Sequence, residues 1–439
     1  MTRSRWAGVL TLLVVVLVSY VDRVNVSVLV TDHAFTDHFG IGDDQVAQGA
    51  LMTAFLVGYG VAALLLTPVY ESVLGVRRGL LVSVALWALL TLLSPYALGA
   101  VVLVLLRALL GAAEGPLFSL KTMYTAEHFP PERVGTPNAV TSMGVSLGTA
   151  AGMPLVTYLV YRFDWHASFL LLAALNAVVG LPLVLLFVRG RRRAARAGGE
   201  PSRPATAAAR PARDTLRQAL RTPYIGWILV IEVATLAYLW GSTAWLPSYL
   251  LHARHLSLAA MGWVSALPFL LSLASGLLGG RLLDRLPPRA LPVLFVVGAA
   301  GTAGCVILAV TASSTALAAT GLVLANGFWG LQGPAIPTLV QRCAAPGAVG
   351  SAYGLVNGVG NLVSAFMPTA MGAVMAALGG GTAGGFAAGF TLLAGTQLVT
   401  LVCGAGLLVR WRRAHSVPGA GSTSEARIDA SNLGNSRAS

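Results

Sequence analysis

The sequence predicts an all-α polytopic membrane protein with twelve transmembrane helices in two six-helix halves. Three observations carry that expectation. Of the 439 residues, 56% are hydrophobic and only 10% charged. A soluble domain carries about 25% charged residues, so this chain cannot cover a water-facing surface. The apolar residues also fall in runs of roughly 20, the length that crosses about 30 Å of hydrocarbon at 1.5 Å per residue. Finally, runs such as Ala100–Leu110 and Leu291–Val310 are continuous. A transmembrane barrel would alternate apolar and polar side chains, and lipid admits only helices or closed barrels because every backbone polar group must be paired internally.

Taken in order, the spans read as 6–30, 46–68, 79–98, 99–123, 136–160, 166–188, 223–246, 258–280, 290–311, 315–340, 349–378 and 386–409. The first could pass for a signal peptide, since Arg3 and Arg5 precede the apolar run Trp6–Ser19. However, the apolar pattern continues past Asp22 and Arg23 to Val30, and no small-residue cleavage site follows, which predicts an uncleaved first helix. These spans divide the chain into an N-terminal bundle (1–188), a linker (189–222), a C-terminal bundle (223–409) and a tail (410–439). The linker holds ten arginines between Arg189 and Arg221, with Pro, Ala and Gly, and reads as flexible or partly helical. The tail from about His415 is rich in Ser, Gly, Ala and Asn, a composition expected to be disordered.

The formal net charge is +13, and Lys121 is the only lysine. The placement of the arginines accounts for this charge without nucleic acid. With a cytoplasmic N-terminus, the inside loops hold Arg77 and Arg78, Arg133, the linker, Arg281, Arg285 and Arg289, Arg342, and then Arg410, Arg412 and Arg413. The outside loops hold Arg162 and Arg254, and the first is acidic, with Asp32, Asp37, Asp43 and Asp44. This positive-inside pattern predicts both termini in the cytoplasm. The Arg- and Ala-rich composition suggests a bacterial chain in a plasma membrane. Cys305, Cys343 and Cys403 have no metal or redox spacing and read as packing residues. His33 and His38 lie among loop aspartates and read as solvated rather than as metal ligands. No nucleophile–base set, phosphate loop or metal motif is visible, so neither an enzyme nor a bound cofactor is expected.

Charges inside the spans are the strongest functional signal. An ionised side chain at the membrane centre costs about 2.5–3.5 kcal/mol even on the lenient insertion scale. Asp22, Arg23, Arg107, Glu114 and Glu232 all fall within spans, as does Lys121 nearer the cytoplasmic end. Arg107 and Glu114 are seven residues apart, so they share a helix face at about 10 Å separation. Asp22 and Arg23 are adjacent and point about 100° apart, so only one can face straight into a cavity. Arg23 and Arg107 offer forked donors that match a carboxylate. Asp22 and Glu114 are proton-carrying candidates: a carboxylate paired with arginine stays ionised, and a substrate anion that takes the arginine leaves the carboxylate to bind a proton. The competing reading is a set of structural ion pairs between the first and fourth helices. Glu232 is either a further proton site or a group bonded within the bundle, and Lys121 reads as an anchor at the cytoplasmic end. Gly144, Gly148 and Gly152 repeat every four residues, which allows close helix packing.

The halves echo each other. Gly280-Arg281-Leu282-Leu283-Asp284-Arg285 follows the eighth span, and Glu71-Ser72-Val73-Leu74-Gly75-Val76-Arg77-Arg78 occupies the matching place after the second. Internal repeats of this kind put a substrate site at the midplane between the halves.

Taken together, these patterns resemble the major facilitator superfamily and, within it, the anion:cation symporter family, whose members import organic acids together with protons. The resemblance spans nearly the whole chain outside the linker and tail. It rests on Tyr20-Val21-Asp22-Arg23-Val24-Asn25 in the first span and on Arg107 through Pro116 in the fourth, followed by His128-Phe129-Pro130 and Glu132-Arg133. Trp245 through Leu250 in the seventh, and Gly354 through Leu362 with Pro368 in the eleventh, complete it. The sequence departs from the pattern at Glu71 and Ser72, where Asp and Arg are usual, and at Lys121, where a neutral residue is usual. The resemblance implies proton-coupled import of a small organic anion by a monomer in the lipid bilayer, driven by the proton gradient. It also implies substrate contacts from Tyr20, Tyr59, Asn357 and Asn361 beside Arg23 and Arg107. An organophosphate antiporter fits less well, because Asp22 is present and Leu239 stands where a second arginine would be. A drug-efflux antiporter lacks its Gly-Pro signature in the fifth span. A non-transporting sensor would have no use for the set Asp22, Arg23, Arg107 and Glu114.

Overall fold

The computed structural model describes residues 2–30, 32–41, 45–188, 211–378 and 382–414. Most of the Arg-rich linker, Asp43 and Asp44, and the tail from 415 onward lie outside the described residues.

Twelve helical spans run through the described chain. In the N-terminal half they are α1 (Thr2–Leu29), α2 (Gln45–Leu65), α3 (Gly75–Leu93), α4 (Ala100–Glu114 continuing as Leu117–His128), α5 (Gly135–Arg162) and α6 (Trp165–Phe187). In the C-terminal half they are α7 (Ile225–Ser248), α8 (Leu258–Arg285), α9 (Val293–Thr311), α10 (Thr315–Gln332 continuing as Ala335–Cys343), α11 (Val349–Ser364 continuing as Met367–Ala377) and α12 (Ala383–Ala414). Ten helices are long and apolar enough to cross a membrane, and Ala50–Leu65 is a shorter apolar one. The remaining span, α10, is more polar because Asn326 and Gln332 turn into the protein interior. The outer faces present apolar side chains, with Val101 74% and Val402 68% exposed, as lipid contact requires.

Boundaries depart from the sequence reading where proline and glycine intervene. α4 breaks at Gly115-Pro116, α10 at Gly333-Pro334 and α11 beside Met367-Pro368, in each case where proline removes a backbone donor. Beyond α2 the chain passes through a short helical turn, Thr67–Val69, and a π-helical turn, Tyr70–Leu74, to Gly75, where α3 starts, with φ 68°, a conformation that glycine adopts without strain. α12 runs on to Ala414, so the first residues expected in the tail are helical. The last part of the linker forms a helix, Ala212–Leu220, that buries Thr215 and Ala219 against α11 and the end of α2.

Within the first half α1 packs on α5 and α2 on α4, while within the second α9 packs on α10 and α12, and α7 on α11 and α12. Close approach is made by glycine. A Cβ at Gly144 would lie 2.6 Å from the Leu13 carbonyl oxygen, and one at Gly148 2.5 Å from that of Leu17. The four-residue glycine repeat therefore does seat α5 against α1. The halves meet along two seams, α5 with α8 and α2 with α11.

Both seams are fastened on the side that carries the chain termini and the α2–α3 and α8–α9 connections. Asp284 accepts from the backbone N–H groups of Gly135 (2.8 Å) and Thr136 (2.9 Å) at the start of α5. Glu71 accepts from Gly350 N–H (2.9 Å), Ser351 N–H (2.6 Å) and the Ser351 hydroxyl (2.6 Å) at the start of α11. Each acid caps a helix of the other half, where N–H groups are unpaired and the helix dipole favours negative charge. The two acids stand at the echoed positions of the sequence repeat. Replacing either by its amide puts an NH2 group against a backbone N–H. A hydrogen bond to a charged group contributes about 1.5–3 kcal/mol, so Asp284→Asn should raise amide hydrogen exchange at the start of α5 by tenfold or more, and Glu71→Gln should do the same at the start of α11. Unchanged exchange in both variants would show that these bonds do not hold the seams.

Candidate functional site

Behind the fastened side lies a cluster built on α1 and α4. The Arg23 Nε donates to Glu114 Oε2 at 3.0 Å, and the Ser19 hydroxyl donates to the same oxygen at 2.8 Å. The Arg23 guanidinium sits among three rings, 4.6 Å from the centroids of Tyr20 and Tyr59 and 5.2 Å from that of Phe55. Its Nη2 has no hydrogen-bond partner, and neither has Glu114 Oε1. Glu114 is the last residue before the break in α4. The glycine that follows lets α2 approach, since a Cβ at Gly115 would lie 2.6 Å from the Tyr59 carbonyl oxygen.

Arg107, two turns earlier on α4, is fully buried, lies 4.8 Å from the Phe55 ring, and has no hydrogen-bond partner on any guanidinium nitrogen. The acids whose fields act on it are Asp22 and Glu114. Asp22 turns away from Arg23 toward α3, where one carboxylate oxygen accepts from Trp87 Nε1 at 2.9 Å and from the Thr91 hydroxyl at 2.7 Å. Its other oxygen is unpartnered. Adjacent positions on α1 thus serve different walls, as the 100° step along a helix dictates.

A cavity of about 130 Å³ opens between the halves. Six of the nine residues singled out in the sequence line it: Tyr20, Arg23 and Tyr59 from the first half, and Glu232, Asn357 and Asn361 from the second. A hydrogen-bond chain joins the two walls. The Tyr59 hydroxyl donates to Asn357 Oδ1 at 2.8 Å, Asn357 Nδ2 reaches Glu232 Oε1 at 3.5 Å, and Asn361 Nδ2 donates to the Asn357 carbonyl at 2.9 Å. Asp22, Glu114 and Arg107 lie behind this wall and touch the cavity only through Arg23 and the aromatic rings.

Several contributors were not singled out in the sequence. Trp87 and Thr91, one helical turn apart, hold Asp22; Ser19 holds Glu114; Phe55 stacks on both arginines. Thr235 on α7 lines the cavity with an unpartnered hydroxyl. A spacing of four places Trp87 and Thr91 on one face of α3, but which helix they meet is a tertiary fact. Toward the fastened side a buried amide network joins α4, α5 and α10. Asn138 Nδ2 donates to Gln341 Oε1 at 2.8 Å, and Gln341 Nε2 donates to the Thr122 carbonyl at 2.7 Å. Lys121 is not the cytoplasmic-end anchor expected from the sequence. Its side chain is buried, donates to the Ser142 hydroxyl at 2.7 Å and lies 4.3 Å from the Phe118 ring, so it points inward beside the cavity rather than out to the interface.

The sequence profile of the Major Facilitator Superfamily matches residues 12–368. Among curated proteins, the chain is 27% identical over 340 residues to a probable sulfoacetate transporter of Cupriavidus necator, covering 74% of this chain and 75% of that protein. It is 24% identical over 349 residues to a probable L-galactonate transporter of Escherichia coli, covering 75% and 76% respectively. Among solved structures, the proton:xylose symporter XylE bound to 6-bromo-6-deoxy-D-glucose superposes with a TM-score of 0.71 at 14% identity, covering 94% of this chain and 96% of that one. That similarity carries the fold. Profile, relatives and fold agree with the helical count and the pseudo-repeat, and they are those of a transporter and not of an enzyme. The chain is a multi-pass membrane transporter and belongs to the Major Facilitator Superfamily.

Proposed function

We propose that this protein imports a small organic anion together with protons, by alternating access across a bacterial plasma membrane with both termini in the cytoplasm. The observation that carries this reading is the shared use of Arg23. Through Nε it binds Glu114, while its side chain, 7% exposed, forms part of the cavity wall. A carboxylate arriving at that fork competes with Glu114 for the guanidinium, and Glu114, losing its counter-charge in a buried site, takes up a proton. Loading of anion and proton is thereby linked. Asp22 and Glu232 are the other proton-carrying groups in this scheme, and Arg107 supplies fixed positive charge behind Arg23. Tyr20, Tyr59, Asn357 and Asn361 orient the substrate. The Tyr59–Asn357 bond crosses between the halves, so a substrate that inserts there is in contact with both walls.

The energy source is the proton gradient, with no bound cofactor, and the working unit is a monomer in lipid. The cavity is well below the ~300 Å³ at which drug-sized pockets begin, which favours a small metabolite over a drug and import over multidrug efflux. The names of the relatives, sulfoacetate and L-galactonate transporters, are those of organic-anion carriers. Glu114→Gln tests the scheme in proteoliposomes: proton-driven uptake should be abolished while anion exchange continues. Undiminished proton-driven uptake in this variant would overturn the coupling role of Glu114.

A further inference from the structure

We propose that the cavity selects an anion with two acidic groups, one held by Arg23 and the other by Lys121. This inference rests on the organic-anion reading above and narrows it to a class of substrate.

Lys121 is the only lysine in the chain and is 1% exposed within a membrane-spanning helix. A buried charge is expensive unless it is paired or faces a polar cavity. Neither the Arg23–Glu114 nor the His166–Asp164 pair involves Lys121, and among the described residues no carboxylate lies within 4.0 Å of its ammonium. An ammonium has three donors, and the structure satisfies one, through Ser142. The acid whose field reaches it is Glu232, on the opposite wall. Arg23, by contrast, already carries a carboxylate in contact. Lys121 is therefore a second cation beside the cavity, and it has no acid of its own in contact.

The position fits a ligand contact. Ser142 and Phe118, the two groups that Lys121 touches, both line the cavity. The side chain has four rotatable bonds, so its ammonium can leave Ser142 for a ligand without moving the backbone. Arg23 and Lys121 flank one aromatic pair. Arg23 lies against Tyr20, Tyr20 and Phe118 meet edge-on with centroids 6.3 Å apart, and Lys121 lies against Phe118. Arg23 lines the cavity and Lys121 stands directly behind two of its lining residues, Ser142 and Phe118, so that an ammonium turned from Ser142 toward the cavity would complete a pair of cations matching a short carbon chain with an acid at each end. The opposite wall, with Thr235, Asn357 and Asn361, supplies neutral hydrogen-bonding groups suited to hydroxyls between those ends. Arg107, Glu114 and Lys121 are spaced by seven along α4 and all buried, the first two before its break at Gly115-Pro116 and the third after it.

The test is binding of matched pairs to the purified full-length protein, by thermal shift and calorimetry. D-glucarate is compared with D-gluconate, and galactarate with galactonate; within each pair one terminal carboxylate is replaced by a hydroxymethyl group. The wild type should bind at least one dianion tenfold or more tightly than its monoanionic partner. Lys121→Gln should weaken dianion binding and bring the two within about twofold, and Lys121→Arg should restore the preference. A merely structural lysine would shift both affinities together. Equal binding of monoanion and dianion by the wild type overturns the inference and leaves the anion reading standing, as does an undiminished preference in Lys121→Gln. Binding by no member of either pair overturns both. The wild-type comparison decides the matter even if a variant fails to fold.

Discussion

Arg23→Lys should lower organic-anion uptake about 100-fold in a protein that still folds. Lysine keeps a positive charge beside Glu114 and within the ring cage of Tyr20, Tyr59 and Phe55, so the buried carboxylate is not left alone. What it loses is the fork. The guanidinium binds Glu114 through one nitrogen and has further nitrogens to offer a ligand, whereas a single ammonium is a point charge that cannot match a carboxylate in a bidentate way. Losing one partner of a buried charged hydrogen bond costs about 2–5 kcal/mol, and each 1.4 kcal/mol is tenfold, which sets the scale. Initial uptake rates in proteoliposomes, alongside the melting temperature of the purified variant, check the prediction. Arg23→Ala is the harsher change: it strands Glu114, and removing one partner from a buried pair costs about 3–5 kcal/mol, so loss of binding there would be mixed with loss of fold. Near-normal uptake in Arg23→Lys would show that the substrate does not use the fork.

The largest stability effect is expected at Gly111→Val. A Cβ at Gly111 would lie 2.0 Å from the carbonyl oxygen of Phe55, and one at Gly58 2.0 Å from that of Ala108. The neighbour in both cases is backbone, so relief requires α2 and α4 to separate. Overpacking costs about 1–3 kcal/mol and more where nothing can yield; here the upper end, about 3 kcal/mol, is expected as a lower melting temperature and a lower yield of folded protein in detergent. The displacement would also move Phe55 off Arg107 and Arg23, and Tyr59 off Asn357, so any surviving protein should be impaired in transport. Gly226→Ala and Gly304→Ala are the controls. Both glycines are in helices with nothing within 4 Å of an added Cβ, so the change should be neutral or slightly stabilising, by up to about 1 kcal/mol.

How far the sequence could be read depended on whether a signal was local. Apolar runs of membrane length mark helices because the bilayer leaves the chain few other choices, so the twelve spans were legible. α10 carries two polar residues in its span, Asn326 and Gln332, and both are buried. Charges inside spans marked Arg23 and Glu232, which line the cavity, and Tyr20, Tyr59, Asn357 and Asn361, expected from the family resemblance, line it with them. What could not be read was which helix each residue would meet. Nothing in the first span says that Asp22 will face Trp87 and Thr91, or that Arg107 will end buried without a partner. Lys121 was misplaced because proximity to the end of a span suggested an exit to water. α4 runs on as far as His128, so the lysine stands more than a turn inside the helix, and its side chain is directed at Ser142.

The two carboxylates at the seams also bear on how easily the halves could part. Each is bonded to the free N–H groups at a helix start, and although Gly135, Gly350 and Ser351 are buried, Glu71, Asp284 and Thr136 are partly exposed at the rim of the spans. When such a bond breaks at a rim, solvent replaces both partners, so the exchange is between two hydrated or bonded states and not between a bond and a void. A helix start freed in the membrane interior would have no such substitute. The fastenings can therefore be firm enough to hold one arrangement while leaving its rival only a few kcal/mol away, which is within the range that a bound ligand's preference for one arrangement can reverse.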